Sequence, residues 1–216
     1  MLLLAGITMR VQFISELIGT FCMVFIGCLA VKEGQGGPVI SLAFGGAVCA
    51  VIIVSRRFSG AHINPAVSIA FAVTGELDRR ELPVYIAAQI IGGLVAGFLI
   101  GEFGATEFSV NFNLGITIEI FITVALMMSI YLTIWHTDND VMVGVIVGII
   151  VALLAFNFGP YTGASMNPAR TIGPNLASDV IANIPVYLIS TTTGAILAAL
   201  VCIKLRKSTQ KPEALN

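Results

Sequence analysis

Six long stretches of the sequence consist almost entirely of apolar residues, and the polar residues gather between them. These stretches lie at about 11–31, 37–55, 83–101, 114–135, 141–157 and 183–204. Each is close to the roughly 20 residues that an α-helix needs to cross the hydrocarbon core of a bilayer. The pattern therefore predicts six transmembrane helices, and it leaves little of the chain for a soluble domain.

The composition strengthens this prediction. Of the 216 residues, 57% are hydrophobic and only 11% are charged, whereas about a quarter of the residues are charged in soluble domains. A soluble fold of this size cannot hide so much apolar surface, so we expect lipid to be the solvent. The four cysteines lie in or at the ends of apolar stretches without metal-ligand spacing, and we interpret them as small buried apolar side chains.

Basic residues are distributed unevenly between the two faces that six spans define. Nine of the 11 lysines and arginines fall on one face, and only Lys32 and Arg170 fall on the other. By the positive-inside rule, both termini are expected to be cytoplasmic in a cell membrane. The opening segment MLLLAGITMR carries its charge after its apolar residues, which is the wrong order for a signal peptide, and Met9 is a second candidate start.

The chain repeats itself at an offset of 103 residues. SGAHINPAVS aligns with TGASMNPART, so that Asn64 matches Asn167, and Glu16 matches Glu119 in the same register. Each copy contains three predicted spans, and because three is odd, the second copy enters the membrane from the opposite face. The sequence thus predicts an inverted repeat. Its two copies cover about 11–101 and about 114–204.

Two short apolar segments, 65–73 and 168–177, follow the paired asparagines. At 1.5 Å per residue, a helix of about ten residues is roughly 15 Å long, which is half of a hydrocarbon core of about 30 Å. An Asn followed by a Pro is a favourable helix start. We therefore expect two half-helices that enter from opposite faces, meet tip to tip and form a seventh, composite span around a buried or water-lined break.

Together these residues resemble the aquaporin and glycerol-facilitator family, the major intrinsic proteins. The resemblance covers nearly the whole chain, and its motifs are closest to those of nodulin-like intrinsic proteins and their prokaryotic relatives. It is carried by the ELIGTF segment from Glu16, by SGAHINPAVS, by the AQIIGG segment from Ala88 and by TGASMNPARTIGP. It implies an all-α membrane protein with six transmembrane helices plus two half-helices, forming a single channel domain over residues 1–216.

The resemblance also implies a function. Members of the family are passive membrane channels, so we expect water and small neutral solutes to pass while protons and ions are excluded. The expected partners are these solutes, membrane lipids and further copies of the chain in a homotetramer with one pore per subunit. No enzyme activity, no nucleic acid, no cofactor and no metal are expected.

The two Asn-Pro-Ala motifs are the expected centre of the pore. They consist of Asn64, Pro65 and Ala66, and of Asn167, Pro168 and Ala169. The asparagine amides are expected to donate hydrogen bonds into the pore, and the N-terminus of each half-helix adds about half a positive charge. A water molecule there would turn its oxygen toward the donors, which interrupts a proton wire. The alternative is that the two asparagines only cap their helices.

Glu16 and Glu119 are carboxyl side chains inside apolar spans, where such groups are rare and pair inward. We expect them to accept hydrogen bonds from the backbone that precedes the half-helices, since that backbone has few other partners. The alternative is that the two glutamates relay protons in coupled transport. Coupled transport would require an asymmetric titrating site, whereas these two carboxyl groups occupy symmetric positions.

The family resemblance assigns a selectivity filter to Phe44, Ala155, Ala164 and Arg170. Strict water channels of the family usually carry a His at the second of these positions, whereas this chain has Ala155. Two alanines imply a wider filter that admits glycerol, urea or undissociated metalloid acids. A strictly water-selective pore is the alternative, and snorkelling to the interface is the alternative for Arg170.

The same resemblance places His62 at the inner vestibule of the pore. A titrating gate is a further option for this residue, because His changes charge near neutral pH.

Three other classes of function are the alternatives. An ion-coupled secondary transporter also uses inverted repeats and broken helices, but it would need charged clusters beside the break, where the sequence offers only the symmetric glutamates. A membrane enzyme is disfavoured because the chain has two histidines in total and no metal motif. A purely structural junction protein is the remaining alternative.

Overall fold

A computed structural model describes residues 2–209, with side chains described for residues 8–206. Of the basic residues counted above, Lys211 lies outside the described residues, as does the side chain of Lys207. Between residues 2 and 209 the chain forms eight α-helices and one short 3-10 helix. The helices are α1 (Leu2–Lys32), α2 (Gly37–Ser59), α3 (Pro65–Thr74), α4 (Leu82–Ile100), α5 (Phe112–His136), α6 (Asp140–Thr162), α7 (Pro168–Ala177) and α8 (Ile184–Thr209), and the 3-10 helix is Ile181–Asn183.

Six helices, α1, α2, α4, α5, α6 and α8, are long and apolar enough to cross a membrane. The predicted all-α class and the six predicted transmembrane helices are therefore confirmed. Several helix ends differ from the prediction. The helix α1 begins at Leu2 instead of 11, and α2 and α8 end at Ser59 and Thr209 instead of 55 and 204. The helix α6 continues past the expected end at 157 and runs through Pro160 to Thr162. Pro160 is exposed and lies in the last turn, where the helix continues although the proline removes one backbone hydrogen bond.

The two short helices, α3 and α7, have ten residues each. Each begins with a proline that follows an asparagine, and the asparagine side chain caps the helix. The Oδ1 atom of Asn64 accepts the backbone N–H of Ala66, and that of Asn167 accepts the N–H of Ala169, both at 2.9 Å. Gly75, in the left-handed conformation, ends α3. These ten-residue helices are half the length of a membrane span.

The outer surface of the bundle is rich in apolar side chains, and two carboxyl groups lie in its interior. Leu42, Phe98 and Ile189 are each more than 60% exposed, whereas the carboxyl groups of Glu16 and Glu119 are fully buried. In a soluble protein such exposed apolar side chains would face water at a large cost. The distribution is that of a protein whose outer face contacts lipid.

The two repeats interlock through their half-helices. The helix α4 packs against α1 of its own repeat and against α7 of the other, while α8 packs against α5 and against α3. Each repeat thus supplies the surface on which the other repeat's half-helix rests. The helices α2 and α6 pack closely along each other and join the repeats a second time.

Glycines permit the closest of these helix contacts. A Cβ atom added at Gly148 of α6 would lie 2.6 Å from the carbonyl oxygen of Gly45 in α2, and one added at Gly173 of α7 would collide with the carbonyl oxygen of Gly93 in α4. Small residues of this kind let helix backbones approach directly inside a membrane. The position of α7 against α4 therefore depends on the absence of a side chain.

A Gly173→Ala substitution tests this dependence. We expect the folded protein to lose about 1–3 kcal/mol of stability, because the new methyl group meets backbone that cannot rotate away. The measurement is the thermal unfolding midpoint in detergent, followed by circular dichroism. Gly46→Ala is the matched control, since Gly46 is exposed on α2 and nothing lies within 4 Å of an added Cβ there. Equal midpoints for the two variants would contradict the packing described.

Candidate functional site

A cavity of about 210 Å³ lies inside the bundle, between the two repeats. Its walls come from α1, α2, α5 and α6 and from the segments around the starts of α3 and α7. Most of the lining is apolar, including Val48, Ile52, Leu126 and Val147. The polar groups are few and are concentrated where the half-helices begin, which makes this cavity the candidate functional site.

The two asparagines that start the half-helices are linked across the repeat boundary. The Nδ2 atom of Asn64 donates to the carbonyl oxygen of Met166, and that of Asn167 donates to the carbonyl oxygen of Ile63, both at 2.8 Å. Both asparagines line the cavity. An amide nitrogen carries two N–H groups, so each asparagine retains a second donor beyond this reciprocal contact.

The backbone before each half-helix adopts an unusual alternating conformation. Ala61 and Ile63 have φ values of +51° and +45°, and Ala164 and Met166 have +42° and +53°. Non-glycine residues rarely adopt this left-handed region, at a cost of about 1–3 kcal/mol each. The pairs are separated by the repeat offset of 103, so the same strained turn occurs twice. Such a conformation persists only where its surroundings hold it firmly.

The carboxyl group of Glu16 holds the first of these turns. It accepts the backbone N–H groups of His62 at 2.9 Å and Ile63 at 2.6 Å, and it also accepts the Ser59 hydroxyl at 2.6 Å and the Gln89 amide at 2.7 Å. Four donors occupy the acceptor sites of one carboxylate. A buried charge surrounded in this way is compensated by hydrogen bonds rather than by an ion pair.

Glu119 holds the second turn in the same manner. It accepts the backbone N–H groups of Ser165 and Met166, each at 3.0 Å, and the Thr162 hydroxyl at 2.6 Å. Among the described residues, it has no hydrogen-bond partner that corresponds to Gln89. The two carboxyl groups therefore share their loop contacts and differ in one additional donor.

Two tyrosines brace the helix ends that lead into the turns, and sequence reasoning missed both. The hydroxyl of Tyr85 donates to the carbonyl oxygen of Ser59 at 2.6 Å, and that of Tyr187 donates to the carbonyl oxygen of Thr162 at 2.5 Å. The tyrosines are 102 residues apart (187 − 85), one residue short of the repeat offset. A search for near-symmetric polar residues would have found them.

The four filter candidates Phe44, Ala155, Ala164 and Arg170 all line the same cavity. The guanidinium carbon of Arg170 lies 4.9 Å from the centre of the Phe44 ring, within the range of a cation–π contact. Its Nη1 atom donates to the carbonyl oxygen of Gly104 at 2.5 Å. Arg170 is only 5% exposed, so its charge is fixed in place by an aromatic ring and a carbonyl group.

The carbonyl group of Gly104 belongs to the connection between α4 and α5, which sequence reasoning did not consider. This connection is fastened to α7 by Thr106, whose N–H donates to Asn175 at 2.8 Å and whose carbonyl oxygen accepts the Asn175 amide at 2.9 Å. The Thr106 hydroxyl lies 3.1 Å from that of Thr171. The available signal was Asn175, a third hydrogen-bonding side chain in a ten-residue half-helix that also contains Arg170 and Thr171.

His62 lines the cavity on the side of α3. Its Nδ1 atom lies 3.1 Å from the Ser68 hydroxyl, and its ring lies 4.6 Å from the ring centre of Phe71 and 4.9 Å from that of Tyr85. The ring is therefore packed between aromatic side chains and tied to α3 by a hydrogen bond.

Two ion pairs join separate elements near this end of the cavity. Arg56 of α2 contacts Asp140 of α6 at 2.5 Å, and Arg206 of α8 contacts Glu76, after α3, at 3.1 Å. Arg56 and Glu76 both line the cavity. Within the described part of the chain, no group of three or more His, Cys, Asp or Glu side chains is placed to hold a metal ion.

Comparisons with known proteins agree on one family. The family model described as "Major intrinsic protein" matches residues 4–202. Aquaporin NIP1-1 of Zea mays is 37% identical over 93% of this chain and 76% of its own length, and Aquaporin NIP1-3 of Oryza sativa subsp. japonica is 36% identical over 93% and 75%. The crystal structure of the aquaglyceroporin from Plasmodium falciparum superimposes with a TM-score of 0.83 at 26% identity, covering 93% of this chain and 98% of that one.

A Glu119→Lys substitution tests the dependence of the second turn on its buried carboxyl group. We expect no stably folded protein, because an ammonium group would face the N–H donors of Ser165 and Met166, and an uncompensated buried charge costs about 3–5 kcal/mol. Size-exclusion chromatography in detergent measures the outcome. Glu102→Lys is the matched control, since Glu102 is exposed between α4 and α5. A monodisperse Glu119→Lys protein with the unfolding midpoint of the control would contradict the assignment.

Proposed function

The chain belongs to the major intrinsic protein family, and we propose that it is a passive channel for water and small neutral solutes that excludes protons and other ions. Membership makes it a multi-pass membrane channel of a non-enzymatic family. The solute range and the exclusion of ions are the parts that we propose. The observation that carries the proposal is the filter itself, in which two alanines, one aromatic ring and one buried arginine share a single cavity.

The exclusion of protons is supported by the meeting of the two half-helices. Asn64 and Asn167 each offer a second amide N–H beyond their reciprocal contact, and both line the cavity. The N-termini of α3 and α7 add about half a positive charge each. A water molecule between these donors presents its oxygen to both and directs its hydrogens away, so a proton cannot be passed along an unbroken chain of hydrogen bonds.

The exclusion of cations is supported by Arg170. Its guanidinium group is buried, held by Gly104 and Phe44, and cannot move away when a cation approaches. Two unit charges 4 Å apart repel by about 4 kcal/mol at an effective dielectric constant of 20. The mostly apolar walls provide few groups to replace the hydration shell of an ion.

A broader solute range than water is supported by the small side chains of Ala155 and Ala164. They line the cavity together with Phe44 and Arg170. A small polyol or amide can place its apolar side against the alanines and the ring, while its polar groups accept hydrogen bonds from Arg170. Undissociated metalloid acids have the same mixture of small size, neutrality and hydroxyl groups.

The orientation and assembly are also proposed. Arg10 lies near the start of α1, Arg57 and Lys204 lie near the ends of α2 and α8, and Arg80 precedes α4. This distribution of basic residues supports cytoplasmic termini in a cell membrane. We propose a homotetramer with one pore per subunit on the strength of the family resemblance. Membrane lipids would then contact the apolar faces outside the subunit contacts.

Coupled transport is the alternative function suggested by two glutamates within apolar spans. Glu16 and Glu119 each accept at least three hydrogen bonds from the loops and helices around them. They are occupied by structural donors and do not line the described cavity. This arrangement favours a structural role over a transported or relayed proton.

The test is stopped-flow permeability in proteoliposomes, with water, glycerol and urea compared in one preparation. We expect the wild-type protein to raise all three fluxes above empty liposomes without saturation. The Ala155→His variant should lower glycerol flux about tenfold more than water flux, because a larger side chain excludes the wider solute. Ala155→Gly is the control, in which glycerol flux should not fall.

Three results would contradict parts of the proposal. Water flux alone in the wild type would make the pore strictly water-selective. Flux that saturates or requires an ion gradient would favour a transporter. An equal fall of water and glycerol in Ala155→His would mean that Ala155 does not set the width of the filter.

A further inference from the structure

The two groups that hold Arg170 rest on consecutive residues of α1. Phe44, which stacks against the guanidinium group, contacts Gly27, and Gly104, whose carbonyl oxygen accepts the hydrogen bond, contacts Cys28. Neither Gly27 nor Cys28 is among the residues that line the cavity. We propose that Gly27 is a positioning residue that sets the width of the filter through Phe44; this inference rests on the proposed function.

The contact between Gly27 and Phe44 is direct. A Cβ atom added at Gly27 would collide with three carbon atoms of the Phe44 ring, namely Cδ1, Cε1 and Cζ. Gly27 is buried and Phe44 is only 8% exposed. The ring therefore occupies the space that a side chain at position 27 would fill, and it lies against the backbone of α1.

The contact between Cys28 and Gly104 is equally close. A Cβ atom added at Gly104 would collide with the sulfur of Cys28 and would lie 2.9 Å from its Cβ atom. Gly104 has a φ of +84°, a conformation that favours glycine. One turn of α1 thus supports both partners of Arg170. A substitution at Gly27 or Cys28 would therefore alter the filter without itself contacting the solute.

The comparison of the two repeats shows where a side chain at position 27 would lie. At the offset of 103, Gly27 corresponds to Ile130 and Phe44 corresponds to Val147, and both Ile130 and Val147 line the cavity. In the second repeat a large side chain on the first helix accompanies a smaller one on the second. In the first repeat the first helix has the smaller residue, Gly27, and the second helix has the larger one, Phe44. The glycine leaves room for the aromatic ring.

The Phe44 ring lies between α1 and the cavity. On one side it meets α1, and α1 is held by α4, where a Cβ added at Gly92 would collide with the carbonyl oxygen of Leu17 and would lie 3.0 Å from the nitrogen of Phe21. On the other side it faces the cavity and Arg170. Because a packed interior does not absorb a methyl group freely, Gly27→Ala should push the ring toward the cavity and narrow the filter.

A double-mutant cycle in proteoliposomes tests this inference. Gly27→Ala should lower the ratio of glycerol to water permeability about tenfold, as expected when a pocket loses the width of one methyl group. The Gly27→Ala/Phe44→Ala variant should have the same ratio as Phe44→Ala, since the added methyl group then has no ring to displace. Gly46→Ala, on the exposed face of α2, is the control and should leave the ratio unchanged.

The inference is overturned if Gly27→Ala keeps the wild-type ratio, or if it lowers the ratio equally with and without the Phe44 ring. Should Gly27→Ala fail to fold, recovery of folding in the double variant supports the contact, and failure to recover overturns it. The wild-type glycerol flux tests the proposed solute range separately. If the wild type conducts water alone, the same four variants are compared by their water permeability. Gly27→Ala must then lower water permeability when the Phe44 ring is present and leave it unchanged in the Phe44→Ala background.

Discussion

Non-helical backbone inside a membrane has no water to satisfy its N–H groups, and two buried carboxyl groups meet this requirement here. Glu16 and Glu119 each bind two successive N–H groups of a turn that precedes a half-helix. Each unsatisfied group would cost several kcal/mol in hydrocarbon. These bonds hold the left-handed residues of the turns, and the turns leave the carbonyl oxygens of Ile63 and Met166 for the two asparagines.

The symmetric frame positions a site whose chemistry is asymmetric. The half-helices rest on helices of the opposite repeat, so separating the two copies would remove the packing surface of both half-helices. Selectivity is proposed to arise where the copies differ at equivalent positions, with Arg170 in place of Val67 and Phe44 in place of Val147. The repeats thus provide a common scaffold, while a few substitutions on it set the charge and width of the passage.

The sequence predicted the features that depend on local pattern. The six spans and the short helices α3 and α7 follow from apolar runs, length and the Asn-Pro starts, so they were predicted with errors of a few residues at ends such as Thr162. The contacts of Glu16 and Glu119 with the turns before the half-helices were expected, but other contacts between distant segments were not. Three such contacts join separate elements and produce no periodic pattern in the sequence. They are the hydrogen bond from Arg170 to the Gly104 carbonyl, the hydrogen bonds between Thr106 and Asn175, and the contact of Phe44 with Gly27. The pore roles of the filter residues stay predictions.

The central claim is that this site passes neutral molecules and interrupts proton transfer at the same point. The most direct measurement is proton flux in proteoliposomes under an imposed pH gradient, followed with an enclosed pH-sensitive dye, in the same vesicles whose osmotic water permeability is measured. We expect water permeability well above that of empty liposomes, with proton flux equal to that of empty liposomes. Proton flux that rises in proportion to the amount of protein would contradict it.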